Sequence, residues 1–228
     1  DALKLNPNNT ITLNNLAALS FYNGELKTAI KLYSEIIKKH QNNFDAKYNL
    51  AQCQLALMNF HDGWKNFKYR WLANTFHSRK ISMNLPVFNL NTDKKNLLVW
   101  QEQGIGDQIL FLRFLNDLGP YVDDLFIKID KRLHEIIKRN FPQIKLINGD
   151  INIPINKINS QIPIADLGSL FVKNVSDVKN NYKNYLTSDP KITNELRDIL
   201  SNKNNIICGL SWVSKNDDIG SNKSITLE

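Results

Sequence analysis

Residues 97–112 read LLVWQEQGIGDQILFL, and the fold turns on how they are read. Leu97-Leu98-Val99-Trp100 is a short apolar run of the kind buried strands use, and Asp107–Leu118 predicts a helix with almost no polar face. Between them Gly104 and Gly106 bracket Ile105, and Asp107 follows at once. The alternation continues downstream: Leu125–Ile129 predicts a second strand, Lys131–Asn140 a second helix and Ile144–Ile147 a third strand. Strands alternating with helices of about ten residues predict a parallel sheet with right-handed crossovers, the doubly wound α/β architecture. Ligands of such sheets bind beyond the carboxyl ends of the strands, which is where Gln101–Asp107 lies.

Several kinds of chemistry compete for this turn. A dinucleotide fingerprint needs a third glycine where Ile109 stands, although Asp130 at the end of the second strand would suit the ribose-binding acid. A phosphate loop of the Walker type is excluded, because no Gly-Lys-Ser/Thr follows. A purely architectural turn is also open, with the glycines making the bend and Asp107 capping the helix. A carboxylate at a strand end, aimed into a cleft, also suits a general base, and a helix N-terminus would keep it ionised.

Ahead of the sheet the chain repeats itself with a period of 34 residues. Asn8-Asn9 recurs as Asn42-Asn43, Asn15-Leu16-Ala17 as Asn49-Leu50-Ala51, Ala29 maps to Gly63 and Tyr33 to Phe67. Small residues in these slots let two helices approach closely, and the aromatics fill the space between neighbours. Gly24 is placed to end the first helix in a left-handed cap. This pattern resembles the tetratricopeptide repeat. Ala2 and Pro7 occupy slots that close a preceding repeat, so the expectation is a partial array covering residues 1–72, cut from a longer solenoid. Asn15 and Asn49 share one slot on the face expected to line a concave groove, where amides grip peptide backbone without reading sequence. In the second repeat Trp64, Phe67 and Trp71 fall at i, i+3 and i+7, one apolar stripe expected to dock on the next domain. Residues 73–95, with Pro86, form a polar connector.

Composition narrows the classes. Hydrophobic content of 42% with 22% charged residues is that of a globular chain, and no apolar run approaches the ~18–20 residues of a membrane helix. The net charge of +7 is spread along the chain without a concentrated basic patch, which argues against nucleic-acid binding. Cys53 and Cys208 match no metal or redox spacing and read as reduced thiols of a cytoplasmic protein. His40, His61, His77 and His134 are scattered, so no metal site is expected.

The 100–107 stretch, Trp100-Gln101-Glu102-Gln103-Gly104-Ile105-Gly106-Asp107, resembles the W-A-E-Q-G-x-G-D segment of bacterial tetratricopeptide proteins that carry a glycosyltransferase-like domain. That domain is similar to the lipopolysaccharide heptosyltransferases, and its union with helical repeats resembles the O-linked N-acetylglucosamine transferase and SPINDLY class. Further matches run in order: Gly63-Trp64 with Tyr69-Arg70-Trp71, Tyr185-Leu186 with Asp189-Pro190, Gly209-Leu210-Ser211-Trp212, and Lys223-Ser224-Ile225. The resemblance implies an α plus α/β chain: a helical solenoid followed by the Rossmann-like, acceptor-side half of a GT-B enzyme over residues 96–205. Residues 206–228 would then be the first strand and loop of a donor domain that is otherwise missing, leaving the polypeptide alone inactive. The implied reaction is inverting transfer from a nucleotide sugar to an acceptor hydroxyl, with no cofactor and no obligatory metal. Asp107 would be the base, Gln103, Gly104 and Gly106 would contact substrate, and Ser211, Ser214 and Lys223 would face the donor phosphates. The rival expectation is a non-enzymatic peptide-binding scaffold with a degenerate sheet domain.

Overall fold

The computed structural model describes residues 6, 9–91, 94–149, 155–180 and 184–200. The chain divides into two compact units, Asp1–Leu186 and Thr187–Glu228.

Among the described residues the first unit begins with four helices: α1 (Thr10–Tyr22), α2 (Leu26–Lys39), α3 (Phe44–Ala56) and α4 (Phe60–Phe67). The sequence period is the period of the helices, since α3 begins 34 residues after α1 and α4 begins 34 after α2. The repeated asparagines are the caps that set these starts. Asn9 accepts the Thr12 N–H at 3.0 Å and Asn43 accepts the Ala46 N–H at 2.9 Å, each satisfying a donor the helix leaves orphaned. Helices α1 and α3 end in the same Schellman arrangement, with Glu25 N–H on Ser20 O and Asn59 N–H on Gln54 O. Its left-handed residue is Gly24 at φ 78° in the first repeat and Met58 at φ 60° in the second. Small residues do close the helix pairs: a Cβ on Gly63 would sit 2.6 Å from the Leu55 side chain.

The stripe expected to run helically from Trp64 to Trp71 is instead broken after Phe67, where the backbone tightens into a 3₁₀ turn over Lys68–Leu72. Three residues per turn bring position 70 under position 67, so Arg70 is carried inward. The rings still meet the α/β part. Trp64 donates its indole N–H to Val172 O at 2.9 Å, Phe67 is buried, and Trp71 lies 5.4 Å from Trp100.

Four strands, β1 (Lys95–Trp100), β2 (Val122–Lys128), β3 (Lys145–Leu146) and β4 (Ser160–Pro163), form a parallel sheet in the order β3-β2-β1-β4. Between β1 and β2 lies α5 (Ile105–Leu112), shorter than the 107–118 helix expected and continued by turns. Between β2 and β3 lies α6 (His134–Asn140) behind a 3₁₀ turn, and β4 leads into α7 (Asp166–Phe171) and α8 (Val175–Asn180).

Strand alternation separates two cores. Leu97, Val99, Ile127 and Ile162 face α5, α6 and the helical repeats, in one continuous cluster that includes Tyr48, Ala51 and Phe67. Leu98, Trp100 and Phe126 face the other way. A doubly wound sheet would carry helices there. Among the described residues that face is instead covered by Trp71 and by Ile81, Met83 and Leu85 of the segment expected to be a polar connector. This strap also pairs with β4: Phe88 N–H donates to Gln161 O at 2.9 Å and Gln161 N–H to Pro86 O at 3.0 Å.

In the second unit the described residues form α9 (Pro190–Leu200). Asp189 caps it, accepting the Lys191 and Ile192 N–H groups at 2.9 and 3.2 Å, and Pro190 sits at the first helical position, where its missing N–H costs nothing. No helix among the described residues is long and apolar enough to cross a membrane.

Candidate active site

In a parallel sheet of this order the chain leaves β1 toward β2 and returns on the opposite side as β4, so the carboxyl ends of β1 and β4 diverge around a crevice. That crevice is filled by the protein itself. Glu102, two residues beyond β1, and Asp166, three beyond β4, both grip Arg70 from the 3₁₀ turn. Arg70 Nε donates to Glu102 Oε2 at 2.7 Å, Nη2 to Glu102 Oε1 at 2.8 Å, and Nη2 lies 2.7 Å from Asp166 Oδ1. The remaining Nη1 reaches Phe67 O at 3.3 Å, and Glu102 Oε1 also accepts the Ala165 N–H at 3.2 Å. The guanidinium stacks over Phe67 and Trp71, 4.4 and 4.6 Å from the ring centroids. Burial raises the carboxyl groups of Glu102 and Asp166 above their ordinary range, with Arg70 pulling the other way.

The turn beyond Glu102 is pinned by hydrogen bonds at Gln103 and Gly104. Gln103 adopts φ 60°, a left-handed conformation costly for a side-chain-bearing residue, and its N–H donates to Ser78 Oγ at 2.7 Å. Its carbonyl accepts from Gln108 Nε2 at 3.4 Å, and the buried Gln108 in turn accepts the Asp130 N–H at 3.1 Å, tying the turn to the end of β2. Gly104 N–H donates to Asp107 Oδ2 at 3.1 Å.

Asp107 therefore caps the helix from inside it. Gly104 is the N-cap and Asp107 the third residue of α5, reaching back as the acidic half of a capping box, not standing at the N-cap as expected. The carboxylate is exposed and has a single backbone donor on one oxygen. Neither glycine is required by backbone angle, since neither has a positive φ. A Cβ on Gly106 would meet nothing within 4 Å, so the surface beside Asp107 is open. An exposed carboxylate on a rigid turn, next to a face with no side chain, is suited to accept a proton from a group that approaches closely.

Asp130 is the residue that would serve as the ribose-binding acid of the dinucleotide alternative. Asp130 is engaged by the Arg132 side chain at 2.9 Å through both oxygens and by the Arg132 N–H at 2.9 Å, which holds it down at about 2.

Of the two groove asparagines, Asn49 lines a cleft of about 350 Å³ with Phe21, Tyr22, Tyr33, Tyr48 and Gln52. Its side chain is hydrogen-bonded to the Tyr33 hydroxyl. Burial pushes the Tyr33 and Tyr48 hydroxyls up to about 12, so both stay protonated and able to donate. Asn15 lies exposed on α1, outside that cleft. Gln103, Gly104, Gly106 and Asp107 are brought together in one turn; Ser211, Ser214, Lys223 and the expected strand 206–212 lie outside the described residues.

Sequence reasoning gave no role to Arg70, Glu102, Asp166, Ser78 or Gln108. An arginine inside an aromatic stripe and a glutamate directly after a buried strand were the available signals for the first pair. No family model and no curated protein matches this chain.

Proposed function

We propose that this chain is the acceptor-side portion of an inverting glycosyltransferase whose helical repeats present the acceptor. The observation that carries the reading is Asp107: an exposed carboxylate on a pinned turn at the carboxyl end of β1, beside the open face of Gly106. In the reaction Asp107 accepts the proton of the acceptor hydroxyl as that oxygen bonds to the anomeric carbon. The bond from that carbon to the nucleoside diphosphate breaks, the diphosphate leaves with the electron pair, and the configuration inverts. Gln103, Gly104 and Gly106 contact the substrate; Ser211, Ser214 and Lys223 serve the donor phosphates; Asn15 and Asn49 hold an acceptor peptide through its backbone. The Rossmann-like and tetratricopeptide assignments belong to this same reading, which the strand order and the 34-residue helix period support.

The test is a panel of UDP-, GDP- and ADP-sugars with the full-length protein, read as sugar transfer or hydrolysis. Turnover of one donor supports the reading; a folded protein inert to every donor overturns it. The cleft of aromatic hydroxyls and amides around Asn49 favours a second reading, a peptide-binding scaffold without catalysis. Peptide binding with no turnover would be its signature.

A further inference from the structure

The cleft of about 350 Å³ in the helical repeats holds more chemistry than a peptide backbone needs. Its walls are Phe21 and Tyr22 from the end of α1, Tyr33 from α2, and Tyr48, Asn49 and Gln52 from α3. None of the described residues lining it is charged. Tyr22 stands 76% exposed at the rim, its ring set edge-on to Phe21 at 5.7 Å, so an aromatic surface is left in contact with water. Gln52 Nε2 donates to Asn49 Oδ1 at 3.4 Å, and Asn49 is hydrogen-bonded to the Tyr33 hydroxyl, which fixes the three polar groups in one row. Gln52 keeps one N–H and its oxygen to spare. Tyr48 is 8% exposed, yet among the described residues its hydroxyl has no hydrogen-bond partner. Its ring is held by Phe67 and Phe76, at 5.9 and 5.4 Å. A nearly buried hydroxyl without a partner is costly unless solvent or a ligand completes its bond, and Tyr48 lines the cleft from which either arrives.

We propose that this cleft binds a neutral sugar ring. A pyranose offers hydroxyls that each donate and accept, and C–H faces that lie on aromatic rings. The cleft answers with amides and phenols that do both, an aromatic wall, and no charge to favour an acid or a phosphate. Its volume lies at the small end of the ~300–1,000 Å³ range of small-molecule sites, which suits a ring better than an extended chain. A peptide backbone would be gripped by amides repeated along it. Of the two equivalent asparagines only Asn49 lines the cleft, and Asn15 lies outside it. Asn49 then meets sugar hydroxyls in place of the peptide backbone assigned to it above. That the acceptor is therefore a saccharide rests on the transfer reading, in which Asp107 keeps its role; sugar binding itself rests on the cleft alone.

Saturation-transfer NMR and calorimetry on the 228-residue chain test this, with the methyl glycosides of glucose, N-acetylglucosamine and rhamnose as probes. Glucuronic acid and acetyl-trialanine amide are the charged and the peptide contrasts. At least one glycoside should bind with millimolar or tighter affinity, and both contrasts should bind at least about tenfold more weakly. Tyr48→Phe removes only the hydroxyl and should weaken that glycoside about three- to tenfold, the worth of one hydrogen bond. Gln52→Ala and Tyr22→Ala should each weaken it to a similar extent, with melting temperatures near that of the parent, because neither side chain is buried. The proposal is overturned if no glycoside binds the folded chain, or if binding survives all three substitutions. It is equally overturned if the trialanine amide binds in preference, which would return the cleft to a peptide. No nucleotide sugar is present in these measurements, so an absence of transfer by the protein would leave their outcome unchanged.

Discussion

Arg70 and Glu102 meet in a two-pronged ion pair with neither side chain exposed, and the pair joins the last turn of the helical repeats to the turn that follows β1. Arg70→Ala would strand two carboxylates in the crevice, and loss of one partner of a buried pair costs about 3–5 kcal/mol. Arg70→Lys should recover little, because an ammonium cannot serve Glu102 through both oxygens and Asp166 together. Urea unfolding of the two variants measures both effects, and a Lys variant as stable as the parent would show that charge alone is enough.

Two carboxylates share that one guanidinium, and both are raised by burial. A raised carboxyl binds its proton more tightly in the folded state. The associated stability is fully present below the ordinary carboxylate range and is lost as pH rises through the raised values. As pH rises above the ordinary carboxylate range the parent should therefore lose more stability than Asp166→Asn, in which Arg70 and Glu102 are left balanced. Denaturant titrations across that range check the slope; parallel curves would count against the cluster as its source.

The stacking of α4 on α7 offers a steric test. A Cβ on Gly168 would lie 2.5 Å from the Trp64 ring, inside any tolerable contact. Gly168→Ala should cost about 1–3 kcal/mol by overpacking. Trp64→Ala, which also removes the donor to Val172 O, should cost roughly 3–5 kcal/mol. In the double variant the methyl no longer meets a ring, so the penalties should fall short of their sum.

Met58 holds the left-handed position that Gly24 fills one repeat earlier. An L-residue there costs roughly 1–2 kcal/mol, partly offset by glycine's greater unfolded freedom. Met58→Gly should stabilise the protein by about 0.5–1 kcal/mol, visible as a higher melting temperature. The exposed Met58 side chain gives up little packing in exchange.

Asp107 can be separated into cap and base. Asp107→Asn keeps an oxygen for the Gly104 N–H and should leave stability within a few tenths of a kcal/mol, whereas Asp107→Ala loses that bond and should cost about 1 kcal/mol. If Asp107 is the base, the Asn variant should also lose ~10²–10⁴ in transfer rate. A fully active Asn variant would leave Asp107 as architecture.

What the sequence made legible was local or periodic. The recurring asparagine pairs, Gly24, Gly63 and the strand at residues 97–100 each announce themselves within a few residues or at a fixed period, whereas the capping role of Asn9 and Asn43 came from the structure. Strand β4 was missed because Ser160-Gln161-Ile162-Pro163 has no apolar run; its buried glutamine is acceptable only because the Trp100 indole N–H donates to it at 2.6 Å, from 61 residues away. The crevice filling was hidden for the same reason. Arg70 and Glu102 are 32 residues apart, and neither identity foretells the other. The strap read as polar because Ile81, Met83 and Leu85 are interleaved with Ser82 and Asn84, and the fold shows that these three apolar residues pack against one face of the sheet.

The strap also changes what the sheet can do to other molecules. Strand β4 is flanked by β1 on one side only, and its four residues are all buried. A parallel strand left with a bare row of amides and carbonyls is a template on which foreign chains can add. Residues 86–88 occupy that row before any neighbour can, using Pro86 for its carbonyl, where its missing N–H is no loss. The segment that links the helices to the sheet thus doubles as a guard rail against intermolecular strand addition. Lesions that lift it should reveal themselves as loss of solubility well before loss of fold.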